Sequence, residues 1–514
     1  MNKLRIALVF NPFSYKIQEE NLYIVQKYFG LFPPLSLAWV AAIIEKAGHT
    51  VTIIDARTLN LTKEQTLKKL KEFKPDILGF MMTTYMFPET LEWIRYLKKG
   101  LKSRPYVLIG GYNLRIYPKE SVSYPEIDFG CVEHAYYTVP SLLYELESGN
   151  NNFENVPGLI WKKVKKTSTG NSGQTEIIVN PHPQKIDFNK FPNPARHLLP
   201  NELYAEFPTQ RKNFTVMVTS LGCPYRCSFC EAGGTAYSPR SPETVVNEME
   251  ECYTKYGIRE IDIFDYEFTA IKSRVIDICS EIKRHNLEIL WACRSRVDTL
   301  DEEMLYSMKM SGCDRIYFGI ESGCQEILDR TNKGITLKQI ENTISLCKKL
   351  RIKTLGFFLI GAPGETQETV MKTLNFAKKL NLDYVQFSKC LAKPLTPLWR
   401  QIVKETGKDY WRDWVLGKEI ERSLPRPWTV LTNKQIDRFA KMAYINYHSR
   451  PLFLLKSALD CQSITEFLRK IFAYLQMVFS QSAFAKKIKN FKAYSENIIK
   501  VIFTKYRFLG DNLK

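Results

Sequence analysis

The segment Leu-Gly-Cys-Pro-Tyr-Arg-Cys-Ser-Phe-Cys, residues 221–230, constrains this chain more than any other. It sets Cys223, Cys227 and Cys230 in a C-x3-C-x2-C array just after an apolar, β-branched run at 214–218. Gly222 and Pro224 make the segment a poor helix or strand interior, so it reads as a loop. Thiolates are soft ligands that suit iron–sulfur clusters. Three of them on one loop can hold three corners of a four-iron cubane, leaving the fourth iron open to a small molecule. Two plainer readings compete. Free cysteines are often buried as small hydrophobes, and zinc would use the same thiolates but needs a fourth Cys or His nearby. The nearest such residues, Cys252 and His197, are not at ligand-pair spacing.

At 514 residues the chain is too long for one core, and two to four domains are expected. No apolar run reaches the roughly 18 residues a spanning helix needs, and the N-terminus reads as a first strand with no signal-peptide cleavage site. Apart from the trio, the twelve cysteines are scattered and form no disulfide framework, which points to a reducing cytoplasm. The net charge of +19 favours an anionic partner but is spread along the chain, so it selects none.

Two regions alternate strand and helix patterns. In residues 1–150, apolar runs at 4–10, 50–54, 76–82, 106–110 and 127–132 alternate with helical periodicity at 35–47, 61–73, 91–101 and 136–146. This predicts a doubly wound parallel sheet, with ligands beyond the carboxyl ends of its strands. Asn11, Thr83, Thr84, Gly110, Gly111 and Glu133 lie at those ends. A Pro-rich linker is expected over 151–212, with a hairpin or mobile loop at 162–175. In residues 213–392 a second series gives six strand–helix units, and site residues are expected at the strands' C-terminal ends. Those ends carry 265–269 with Glu267, then Arg294 and Arg296, then 319–323 with Glu321 and Ser322, then 361–366 with Gly361 and Gly364. Cys390 follows the last strand; a reactive thiol is one reading, but a buried structural thiol is the favoured one.

The C-x3-C-x2-C array with Phe229 before its last cysteine resembles the radical S-adenosylmethionine (SAM) enzymes. Residues 33–38, 45–49, the Gly110–Gly111 pair and 156–161 resemble the cobalamin-binding subgroup, whose Rossmann-like domain precedes a partial (β/α)6 barrel and, in some members, a helical C-terminal region. The resemblance implies an α/β fold of that kind over 1–150, 213–392 and 393–514. It implies a [4Fe-4S] cluster on Cys223, Cys227 and Cys230, SAM chelated to the open iron, and cobalamin. It implies SAM contacts from Glu267, Arg294, Glu321, Ser322, Gly361 and Gly364, with Asn11, Thr83, Thr84, Gly110, Gly111 and Glu133 rimming cobalamin. No D-x-H-x-x-G is present to supply an axial histidine, so cobalt is expected without one, and His134 reads as a surface or helix-start residue.

By the same resemblance, the chain is expected to methylate an unactivated carbon of a small-molecule or lipid-like substrate. The route is a 5′-deoxyadenosyl radical and methylcobalamin, fed by an external donor such as flavodoxin or ferredoxin. Ring-forming and oxidative members of the subgroup are the alternative. A tRNA methylthiotransferase ranks below both, because that family has three further N-terminal cysteines and here only Cys131 precedes residue 200. A nucleic-acid partner is therefore not expected. Apolar stripes at 464–479 and 484–502, the second flanked by lysines, predict amphipathic helices that pack on the barrel. Peripheral membrane contact through them is the minority reading.

Overall fold

The computed structural model describes residues 3–13, 30–132, 135–164, 175–182, 187–206, 208–211, 213–421 and 424–450. Its first half is built on β1 (Arg5–Phe10), α1 (Leu35–Lys46), β2 (Thr50–Asp55), α2 (Lys63–Phe73), β3 (Ile77–Met81), α3 (Phe87–Gly100), β4 (Tyr106–Gly110), β5 (Phe129–Cys131) and α4 (Ala135–Ser148). Strands β1 to β5 are parallel in the order β2-β1-β3-β4-β5. Burial on both faces explains their near-continuous apolar sequences. Helix α3 starts at Phe87, ahead of the expected 91, because Pro88 fits the first turn, where no amide hydrogen is needed.

The hairpin expected around residues 162–175 has both of its arms in the first sheet. β6 (Leu159–Val164) pairs antiparallel with β5, and β7 (Thr175–Val179) pairs antiparallel with β6, so the first sheet has seven strands. Leu159, Ile160 and Trp161 are buried in it, an apolar signal that the neighbouring Lys, Ser and Thr masked. The Pro-rich connector is also anchored. Arg196 is buried and donates to Glu248 at 2.6 Å, to Thr215 Oγ1 at 3.1 Å and to the Val216 carbonyl at 3.1 Å, while Arg240 pairs with the other Glu248 oxygen.

The second half holds β8 (Phe214–Met217), a hairpin of β9 (Ser220–Cys223) and β10 (Thr235–Pro239), α5 (Pro242–Lys255), β11 (Glu260–Ile263), α6 (Lys272–Arg284), β12 (Leu290–Ser295), α7 (Glu302–Met310), β13 (Cys313–Glu321), α8 (Gln325–Arg330), α9 (Leu337–Lys349), β14 (Lys353–Ile360), α10 (Gln367–Leu380) and β15 (Tyr384–Lys389). Strands β8, β11, β12, β13, β14 and β15 form a six-stranded parallel sheet in chain order. Side-chain caps start its helices: Ser241 on α5, Asp301 on α7, Thr336 on α9 and Thr366 on α10 each accept an amide hydrogen of the first turn. One apolar core lies between these helices and the sheet.

Three C-terminal helices follow, α11 (Pro397–Thr406), α12 (Tyr410–Val415) and α13 (Asn433–His448). Ile436, Ala443, Tyr444 and Tyr447 of α13 join the barrel core. Trp411 and Val415 of α12 instead enter the core of the N-terminal sheet. The stripes at 464–479 and 484–502, and with them the peripheral membrane contact, lie outside the described residues. Among the described residues no helix is long and apolar enough to cross a membrane.

Candidate active site

The cysteine loop hangs from the end of β8 and is fixed at its root by Asp265. That buried carboxylate accepts from the amides of Thr219 (2.5 Å) and Ser220 (3.0 Å) and from both hydroxyls (2.5 and 2.7 Å). Arg274 closes the root by donating to the Thr219 carbonyl and hydroxyl, at 2.9 and 2.8 Å. Within the loop the Cys230 amide donates to the Cys227 carbonyl and the Gly233 amide to the Cys230 carbonyl, both at 3.2 Å. From outside, the Ser228 amide donates to the Thr331 carbonyl at 3.0 Å, and Asn332 Nδ2 to the Arg226 carbonyl at 2.8 Å. Burial pushes all three thiols up, Cys230 to about 11. A bound metal centre reverses that preference, since its positive charge favours thiolate. Among the described residues no three His, Cys, Asp or Glu side chains converge as ligands of a single ion. A cubane asks for something else, three thiolates each on a different iron, and this donor set suits it.

Among the described residues, Glu267, Glu321, Lys333 and Arg296 are charged side chains near the loop. Glu267 is buried and accepts from Thr269, at 2.6 Å from the hydroxyl and 3.2 Å from the amide. No cation among the described residues pairs with it, and burial pushes its carboxyl up to about 7. An ammonium group from a ligand would complete it. Glu321 ends β13 with φ 66, a strained conformation for a residue with a side chain. Its carboxylate is paired with buried Lys333 at 2.9 Å. Burial opposes the Lys333 charge, but Glu321 and Cys227 outweigh it and hold the amine above its usual range. Gly319 leaves room for the pair, since a Cβ there would stand 2.6 Å from both Glu321 Oε1 and Lys333 Nζ. Arg296 lies 4.0 Å over the Tyr225 ring, with Nη1 3.9 Å from Cys227 Sγ.

Several expected contacts fall elsewhere. Arg294 does not offer a free fork for a carboxylate. Its Nη1 and Nη2 donate to Asp262 at 2.8 and 3.1 Å, and its plane lies 3.8 Å over Phe264. Ser322 turns away from the loop and pairs with Thr373 of α10 at 2.9 Å. Gly361, at φ 84, is approached by protein: a Cβ would stand 2.7 Å from Ile436, and Trp428 Nε1 donates to its carbonyl at 2.9 Å. Gly364 donates to the Trp428 carbonyl at 2.7 Å and sits against Arg330. This expected SAM-contact segment is thus covered by the C-terminal segment, which lies far away in sequence. Cys390 is buried among Leu359, Ala392, Leu398, Ile402 and Trp428. Lys333 and Asp265 carry the loop's electrostatics and its root; sequence reading missed Lys333 because it sits in a turn after α8 with no strand end to flag it.

At the first sheet, Asn11 lies at the end of β1, buried, with Nδ2 donating to the Pro12 carbonyl at 3.0 Å and Oδ1 without a partner among the described residues. Thr83 and Thr84 follow β3, and the Thr84 carbonyl accepts from Trp414 Nε1 at 3.1 Å. Gly110 ends β4 facing open space, and Gly111 crosses closely over Met82. An unmatched buried acceptor and an open glycine on one rim suit a large polar-edged cofactor such as cobalamin. Glu133 and His134 lie outside the described residues. The rim meets the cysteine loop directly, because Tyr112, two residues past Gly110, donates to the Glu231 carbonyl at 3.1 Å.

The family profile described as the Radical SAM superfamily matches residues 217–377, and that described as the B12 binding domain matches residues 22–143. An uncharacterised methyltransferase of Pyrococcus horikoshii is 32% identical over 83% of this chain and 90% of its own length. The chain belongs to the radical SAM superfamily. It is a radical SAM enzyme of the cobalamin-dependent group, whose cofactors are a [4Fe-4S] cluster, SAM and cobalamin. The anaerobic magnesium-protoporphyrin IX monomethyl ester cyclase of Rubrivivax gelatinosus is 26% identical over 73% of this chain and 67% of its own. In fold, this radical SAM enzyme resembles the radical SAM methyltransferase TsrM from Kitasatospora setae, solved with cobalamin and a [4Fe-4S] cluster. The TM-score is 0.60 at 21% identity, over 78% of this chain and 76% of that one.

Proposed function

We propose that this enzyme transfers a methyl group to an unactivated carbon of a small-molecule or lipid-like substrate. The observation that carries the reading is the contact between the two rims. Tyr112 ties the end of β4 to the cysteine loop, so a corrin on one rim and SAM on the other would share one cleft. The name of the P. horikoshii relative points the same way. When bound, the cofactors supply the hard chemistry: a radical from SAM and a carrier for the methyl group.

The chain's own part is to bind, orient and exclude water. Cys223, Cys227 and Cys230 hold the cluster, and Asp265 holds the strand end from which their loop hangs. Glu267 takes the SAM ammonium, an acid otherwise left unpaired in a buried place. Lys333, its ammonium held on Glu321, supplies positive charge beside Cys227, and Arg294, held by Asp262, has no free fork for the SAM carboxylate. Asn11, Thr83, Thr84, Gly110 and Gly111 edge the corrin. An external donor such as flavodoxin or ferredoxin supplies the electron.

Ring closure is the second reading, favoured by the R. gelatinosus cyclase. Anaerobic reconstitution with iron, sulfide and cobalamin, followed by incubation with methyl-labelled SAM and cell extract, decides between them. Methyl transfer requires the label in a product, together with 5′-deoxyadenosine and S-adenosylhomocysteine. 5′-Deoxyadenosine without label transfer would favour ring closure or oxidation, and no SAM cleavage would overturn both.

A further inference from the structure

Arg296 follows β12 and is almost fully buried beside the cysteine loop. Its guanidinium is held from three sides. Nε and Nη2 form a fork on Asp298 at 2.9 Å each, Nη2 also donates to the Lys333 carbonyl at 2.7 Å, and the plane lies on Tyr225. These contacts engage one edge of the fork and one face. The remaining group, Nη1, is the one directed at Cys227 Sγ. A planar guanidinium held this firmly loses little freedom in presenting its last N–H groups, which a flexible lysine ammonium cannot match. Lys333, the other cation nearby, has its ammonium on Glu321.

Hydrogen bonds to ligand sulfur and the charge around it are among the levers by which a protein sets the potential of an iron–sulfur centre. We propose that Arg296 is a positioning residue for that centre: its Nη1 hydrogens bond the Cys227 sulfur, fix that ligand's direction and raise the reduction potential. The inference rests on the reading that Cys223, Cys227 and Cys230 hold the cluster. The physical reason is that one-electron reduction adds negative charge to the cluster and its sulfurs, and an N–H donor with positive charge behind it stabilises the reduced form more than the oxidised one. Arg296 acts through Cys227, with no direct contact to substrate required.

The test is an EPR-monitored redox titration of the reconstituted full-length chain without SAM, comparing wild type, Arg296→Gln and Arg296→Lys at equal iron and sulfide content. Arg296→Gln is expected to lower the reduced-to-oxidised ratio at a fixed potential about tenfold, a downward shift of about 59 mV for one electron. Arg296→Lys, which keeps the charge and loses the fork, should fall between. A fully loaded Arg296→Gln with the wild-type potential would overturn the proposal. Should that variant fail to hold iron, wild-type protein grown with guanidino-15N arginine decides the matter. Pulsed EPR of its reduced cluster is expected to show a 15N coupling, and an iron-loaded sample without one overturns the proposal. A wild-type chain that takes up no iron would instead remove the cluster reading on which it rests.

Discussion

Glu267 offers the most quantitative check on the site. Its carboxyl is raised from an ordinary 4.5 to about 7, first because burial disfavours the charge, with Thr269 opposing. A carboxyl whose folded value lies above its unfolded one favours the folded state while protonated, and that contribution is lost as pH rises through about 7. At 1.36 kcal/mol per tenfold change in proton affinity, the cost of keeping Glu267 buried grows from about 1 kcal/mol at pH 5 to about 3 kcal/mol at pH 8. Glu267→Gln removes the titration and keeps an oxygen to accept from Thr269. Relative to wild type, the variant should therefore gain stability as pH rises, by about 2 kcal/mol between pH 5 and pH 8. Urea unfolding of the cofactor-free protein under anaerobic, reducing conditions at several pH values measures this directly. A stability difference that is flat with pH, or that grows towards low pH, would refute the assignment of a buried, unpaired acid. The same variant should weaken SAM binding at pH 8, where the carboxylate has a charge to offer.

Other parts of the architecture make their own predictions. Asp265→Ala leaves two buried amides and two hydroxyls at the loop root without their acceptor. At about 1–3 kcal/mol for each buried group left unsatisfied, it should destabilise the barrel by several kcal/mol and lower iron uptake, read by unfolding and iron assay. Glu248→Gln strands Arg196 and Arg240 in a buried place and should cost about 3–5 kcal/mol, whereas exposed Glu303→Gln should cost under about 1 kcal/mol, both by denaturant unfolding. Trp414→Phe keeps an aromatic ring on the N-terminal sheet but loses the donor to Thr84. It should cost about 1 kcal/mol and speed amide exchange around Thr84, measured by hydrogen–deuterium exchange mass spectrometry.

The cysteine loop, both runs of parallel strands and their helices were legible in the chain because each depends on local chemistry. Three thiols on one short loop carry their meaning in their spacing, strands buried on both faces are apolar throughout, and helix starts are written as Ser, Thr or Asp caps. What the sequence could not show is which groups find each other across distance. Leu159–Val164 joins the first sheet because an edge strand with buried apolar residues needs a partner, and its flanking polar residues concealed that. Arg294 is withdrawn from ligand chemistry by Asp262, a residue from the neighbouring strand. Gly361 is packed under Ile436, some 75 positions later. Lys333 gains its place beside Glu321 and Cys227 only when a turn returns it to the mouth of the barrel. Ligand type is a property of single side chains and survives in the sequence. Whether a charge is available to a ligand depends on its nearest neighbours in space, and the tertiary structure alone supplies those.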